Sequence, residues 1–116
     1  VEVAIRELCA DMAQQAQDAP ALMMAKARNS GHPLLVAAEK TQDDEIDAFV
    51  LEQCRLGKAS GELATDLDAS FFVLLLGDVL TGTSRSWVAS GSIFDFPALI
   101  RARIQFIFRA ARANRD

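Results

Sequence analysis

The chain has no tyrosine, one histidine, one tryptophan and two cysteines in 116 residues, and each scarcity narrows what it can do. A lone histidine, His32, leaves no imidazole pair to hold a metal and little scope for a nucleophilic triad. It sits beside Pro33 in a stretch that reads as loop, where a capping or surface role suits it. No glycine-rich phosphate loop occurs, and neither thiol has a histidine near it. Carboxylates are plentiful, but Asp43, Asp44, Glu45 and Asp47 follow one another as a solvated charge run rather than as an inward-facing pair. The expectation is a protein that is not an enzyme and needs no metal or cofactor. Cys9 and Cys54 lie on separate predicted helices without paired spacing. They read as two reduced intracellular thiols, with a single disulfide as the alternative.

Long hydrophobic runs are missing too. The charge-free stretch 69–77 falls far short of the roughly 18 apolar residues that a membrane span needs. Glu2, Arg6 and Glu7 interrupt any signal-peptide pattern at the start. A cytoplasmic protein without membrane contact is expected, and a formal charge of −4 argues against nucleic acid as a direct partner. Because Val1 already lies in a helical pattern, the chain reads as part of something longer.

What is present is ordinary globular material, 51% hydrophobic and 24% charged, enough for one domain over 1–116 with its own core. The apolar spacing predicts five helices, at about 1–17, 20–29, 33–60, 66–88 and 96–113, and no strand. Val1, Ile5, Leu8, Met12 and Ala16 mark the inner stripe of the first. Pro20, Pro33 and Pro97 each suit the first turn of a helix. Gly31 and Gly61 suit left-handed caps, and Asp95 suits an N-cap. In the third helix the inner face is marked by Leu34, Leu35, Ala38, Ile46, Phe49, Val50, Gln53 and Leu56, while its acidic middle belongs on the surface. Gly57 should weaken the last turn of that helix by about 1 kcal/mol relative to alanine.

The organising stretch is 66–88. It opens with Asp66 and Asp68, favourable against the helix dipole, and continues through the apolar run 71–76. Ser70, Gly77, Thr81 and Ser84 then fall on one stripe of small residues, which admits a second helix at close range. Half core and half dimer interface is the expectation. Phe72, Leu75, Leu76 and Val79 would point inward, and Gly77, Asp78, Thr81, Ser84 and Arg85 toward a mate, with Asp78 answering Arg85 of the other subunit. The last helix has two apolar faces, one with Ile100, Ile104, Phe108 and Ala111 and one with Leu99, Phe106 and Ala110. Burial from two sides follows, and Ile100, Ile104 and Phe108 are placed in the dimer interface. Its arginines, Arg101, Arg103, Arg109, Arg112 and Arg115, are assigned to packing, solvation and the helix dipole rather than to nucleic acid. Trp87 is expected as a packing anchor at the interface edge. A set rich in sulfur and aromatic rings, Met12, Met23, Met24, Phe49, Phe72, Leu75, Leu76 and Val79 with Gln53, is either plain core or the lining of a pocket for a small apolar ligand. Arg28 and Asp78 are further polar groups for orienting such a ligand.

The order of these features resembles the C-terminal half of TetR-family transcriptional regulators. The features are a long helix ending in Gly61-Glu62-Leu63, the acids Asp66 and Asp68, an apolar helix with Gly77 and with Trp87 near its end, a loop, and a final apolar helix. The resemblance implies a five-helix ligand-binding and dimerisation domain whose last two helices form a four-helix bundle with those of a second subunit. It also implies a homodimer, a small-molecule inducer, and a repressor role exercised through a DNA-binding helix-turn-helix half that this chain lacks. The alternative is a purely structural helical dimerisation module without a ligand.

Overall fold

The computed structural model describes residues 1–91 and 93–112, and it is all-helical. The elements are α1 (Glu2–Asp18), α2 (Pro20–Arg28), α3 (Pro33–Ser60), α4 (Ala69–Ala89) and α5 (Phe96–Ala111). Among the described residues the only extended pairing is an isolated antiparallel bridge from Leu63 to Arg112. The expected continuation of the last helix to Ala113, and Arg115 beyond it, lie outside the described residues.

Helix ends follow local chemistry. The His32 ring caps α3, its Nδ1 accepting from the Leu34 N–H at 3.2 Å, with Pro33 in the first turn. Gly61 closes α3 at φ +82°, a left-handed conformation that only glycine adopts without strain. Asp95 caps α5 by accepting from the Ala98 N–H at 3.2 Å. Two expectations need correction. The central helix begins at Ala69 rather than at position 66, because Asp68 is its N-cap, accepting from the Phe71 N–H at 3.1 Å. Asp66 stays in a linker fixed by bonds from the Leu67 N–H to the Ala64 carbonyl, 3.1 Å, and from the Ala64 N–H to the Ala111 carbonyl, 3.0 Å. Gly31 does not cap α2. Asn29 does, donating to the Ala25 carbonyl from its backbone at 3.1 Å and from its side chain at 2.8 Å.

The core lies along α5, which is flanked by α1 and α4, while α4 in turn carries α3. Ile100, Ile104, Phe108 and Ala111 form one stripe at spacings of four and three, and all are buried. Against it α1 runs antiparallel, tied by Arg112 to Glu2 at 2.8 Å and by the Phe96 N–H to Gln17 Oε1 at 2.9 Å. The buried stripe of α1 is Ile5, Cys9, Ala10 and Ala13. This corrects the expected one, since Leu8, Met12 and Ala16 are only half-buried. Cysteine and alanine let the two backbones approach where the longer Leu8 and Met12 would hold them apart. On the other flank, Phe72 meets Phe108 edge-on with ring centroids 5.4 Å apart. Trp87 is fully buried, tilted against Phe96, and donates from Nε1 to the Phe94 carbonyl at 3.1 Å. It therefore anchors the core and the turn before α5, not the edge of an interface.

In α3 only Val50, Cys54 and Gly57 are buried. The acidic middle is exposed as expected, but Leu34 and Leu56 are exposed as well, at 77% and 42%, so the inner face of this helix is shorter than its apolar residues suggest. Gly57 serves packing: Leu63, fully buried, lies so close that a Cβ there would meet its Cδ1 at 2.7 Å. The same linker caps α1. Glu62 accepts from the backbone nitrogens of Val1 and Glu2, both at 3.1 Å. The Glu2 N–H bond chiefly holds the Glu62 carboxyl below the usual carboxylate range, against some desolvation. The result is a plate of helices, 47 × 29 × 17 Å. Among the described residues, no helix is long and apolar enough to cross a membrane.

Candidate functional site

The residues expected to line a ligand pocket do not converge. Phe72 and Leu76 are in the core at 1% and 2% exposure, whereas Met24 and Phe49 are on the surface at 45% and 36%. Met12, Met23, Gln53, Leu75 and Val79 are half-buried. The physical reason is that α1 turns Cys9 and Ala13 inward rather than Met12, and that α2 has no buried residue. Of this set only Val79 lines the α4–α5 groove described below. A second shallow depression, between α2 and the start of α3, is lined by Leu22, Ala25, Leu34, Leu35 and Ala38 among others. None of the expected pocket residues is in it.

The expected mate-facing residues divide in two. On α4, Asp78, Thr81 and Arg85 are exposed, and Gly77 and Ser84 are half-buried. A Cβ added to Gly77 would meet nothing within 4 Å, so the position is open within the protomer. On α5 the assignment is overturned. Ile100, Ile104 and Phe108 are all 0% exposed, because α1 and α4 consume that stripe, and they have no surface to offer a mate. The exposed apolar face of α5 is the other one, where Phe106 stands 72% exposed.

With these changes two exposed features stand out. Phe71 and Leu74, exposed at 61% and 68%, precede Asp78, Thr81 and Arg85 at spacings of three and four and so share their face. The other is a groove of about 430 Å³ between α4 and α5, lined by Val79, Ala102, Arg103, Phe106 and Ile107. Phe71 and Leu74 belong to the apolar run, and their spacing to Asp78 was the signal available for finding them; a run of consecutive apolar residues conceals which of its members face out.

Polar groups frame the groove. Thr83 is fully buried in α4. Its hydroxyl donates to the Val79 carbonyl at 2.6 Å and accepts from an Arg103 guanidinium N–H, also at 2.6 Å. The guanidinium is thereby pinned at the groove. Arg101 of α5 and Arg112 at its C-cap turn toward α1, where Arg101 pairs with Glu7 at 3.3 Å and Arg112 with Glu2 at 2.8 Å. Among the described residues, Asp78, Arg85 and Arg103 have no ion-pair partner. The two thiols play no part here. Both are free and buried, and desolvation pushes Cys9 up to about 11 and raises Cys54 as well, so neither is a ready nucleophile.

No family model matches the chain, and no curated protein or solved structure is significantly similar to it.

Proposed function

We propose that this chain is the homodimerising regulatory module of a TetR-like transcriptional repressor, acting with a DNA-binding half that lies outside it. The observation that carries the proposal is the α4–α5 face. Phe71 and Leu74 of α4 and Phe106 of α5 are exposed at 61%, 68% and 72%, on two helices that pack side by side in a plate only 17 Å thick. Two apolar rings and a leucine left exposed on two adjacent helices, with polar Asp78, Thr81 and Arg85 on the same α4 face as Phe71 and Leu74, suit a surface covered by a protein partner. Helix pairs that bury their second face against a copy make a four-helix bundle, the arrangement expected for 66–88 and 96–113. In that arrangement an inducer, bound in the intact cytoplasmic regulator, would bias the packing of α1 and so the spacing of the DNA-binding heads.

The second reading is a purely structural dimerisation module without a ligand. What favours it is the dispersal of the expected pocket residues, with Phe72 and Leu76 in the core and Met24 and Phe49 outside. One experiment addresses both readings. Sedimentation equilibrium should give a dimer for the wild type and a monomer for Phe106→Glu, with unchanged helical circular dichroism because Phe106 is exposed. A wild-type monomer at all concentrations overturns the proposal. Native mass spectrometry of protein purified from its source separates the readings: a retained small molecule supports the sensor, and bare dimer supports the structural module.

A further inference from the structure

We infer that residues 62–64 act as a strap that makes the start of α1 and the end of α5 open and close as one unit. Helix ends leave backbone groups without partners in their own helix. In α1 the N-cap, Val1, makes no side-chain cap bond. The Glu2 N–H is met instead by Glu62 Oε1 at 3.1 Å, and the Val1 nitrogen by Oε2 at 3.1 Å. At the end of α5 the Ala111 carbonyl accepts from the Ala64 N–H at 3.0 Å. Leu63, between the two, forms the bridge to Arg112. Three consecutive residues thus complete the ends of two helices that lie far apart in sequence.

The strap is anchored by Leu63, which is fully buried and donates its N–H to the Gly57 carbonyl at 3.0 Å. Its seat is close-fitting, since a Cβ on Gly57 would meet Leu63 Cδ1 at 2.7 Å and Val1 Cγ2 at 3.3 Å. A side chain packed this way is either in or out, because close-packed interiors do not deform continuously. Withdrawing Leu63 takes Glu62 from α1 and Ala64 from α5 together. That supplies the two-state element which coupling between separate places requires. The ion pair from Arg112 to Glu2, 2.8 Å, joins the same ends. Its arginine is exposed, so it contributes little. Loosening the start of α1 therefore favours release at the end of α5, and by linkage the reverse holds. The coupling lies within one chain and needs neither a mate nor a ligand.

The test is amide hydrogen exchange of the full chain followed by NMR, with circular dichroism as a control on folding. The reporters are the N–H groups of Ile5, bonded to the Val1 carbonyl, and of Arg112, bonded to the Phe108 carbonyl. Glu62→Ala should speed exchange at both by about 5-fold, as the loss of one helix cap does, and leave the centre of α5 unchanged. Ala64→Pro removes the donor to Ala111 and should speed Ile5 as well as Arg112. If that variant does not fold, Glu62→Ala decides alone. Glu2→Gln breaks the ion pair and should leave Arg112 within about 2-fold of the wild type. In Glu62→Ala, a faster Ile5 with Arg112 unchanged overturns the strap. So does equal acceleration at the centre of α5, or no acceleration at either reporter. Acceleration of Arg112 in Glu2→Gln that matches Glu62→Ala assigns the link to the ion pair and overturns the strap as well.

Discussion

The junction of Gly57 and Leu63 gives a prediction whose sign is fixed by competing effects. Replacing a helical glycine by alanine ordinarily stabilises by about 1 kcal/mol, since alanine loses less backbone freedom on folding. At position 57 the new methyl would lie 2.7 Å from Leu63 Cδ1 and 2.8 Å from Leu63 Cγ. Leu63 has no room to retreat, being 0% exposed and held by its own N–H to the Gly57 carbonyl at 3.0 Å. Overpacking of this kind costs about 1–3 kcal/mol, and Gly57 stands three residues before the helix end at Ser60, where the propensity gain is at its smallest. Gly57→Ala should therefore destabilise, by about 1–2 kcal/mol. Leu63→Ala alone should cost about 2–5 kcal/mol through the cavity it leaves. In the double variant the methyl at 57 enters that cavity. The clash disappears, the helix gain returns, and the total loss should fall short of the sum of the singles by about 2 kcal/mol. Urea unfolding followed by circular dichroism at one fixed protein concentration measures all four corners of the cycle, the fixed concentration being needed because any self-association would add to apparent stability. A Gly57→Ala protein more stable than the wild type would refute the reasoning, as would strict additivity.

Three further outcomes can be checked. A Cβ at position 77 would meet nothing within 4 Å, and Gly77→Glu replaces a helical glycine, so the variant should stay folded while running as a monomer in size-exclusion chromatography; an unchanged dimer would move the interface off this part of α4. Glu62 titrates below its ordinary value, chiefly because it accepts from the Glu2 N–H. A depressed carboxyl contributes stability above its unfolded value, 4.5, and loses it as pH falls through the folded value. The stability difference between wild type and Glu62→Gln should accordingly shrink between pH 6 and pH 3, and stay under about 1 kcal/mol throughout because the group is partly solvated; a difference that grows on acidification contradicts the cap. The buried thiols, with Cys9 raised to about 11, should resist a thiol reagent at pH 8 until denaturant is added, and then react together; rapid labelling of the folded protein would place at least one of them outside the core.

Legibility in the sequence divided along the line between local and non-local chemistry. Helices and their ends were readable where one residue settles the matter: Pro33 with His32, Gly61, and Asp95 with Pro97 all stand where their capping chemistry puts them. Asp66 and Asp68 were less clear, because either acid suits a helix start and only the turn at 64–67, bonded to the end of α5, excludes the first. Which stripe of each helix turns inward was harder still. In α1, Leu8 and Met12 are the more hydrophobic residues, yet Cys9 and Ala13 are buried, since the closeness of α5 rewards small volume over apolar area. The same neighbour decided the candidate site. The two apolar faces of α5 are equivalent as patterns, and only the presence of α1 against Ile100, Ile104 and Phe108 leaves Phe106 as the free one. Gly57 makes the point in reverse. Its helix-weakening effect is local and could be read directly, whereas the leucine that requires it arrives from six residues on, after the chain has turned through Gly61. The residues most open to misassignment are thus those whose role is set by a helix elsewhere in the chain. Interface hypotheses drawn from periodicity alone should accordingly be tested first on the helix with two apolar faces.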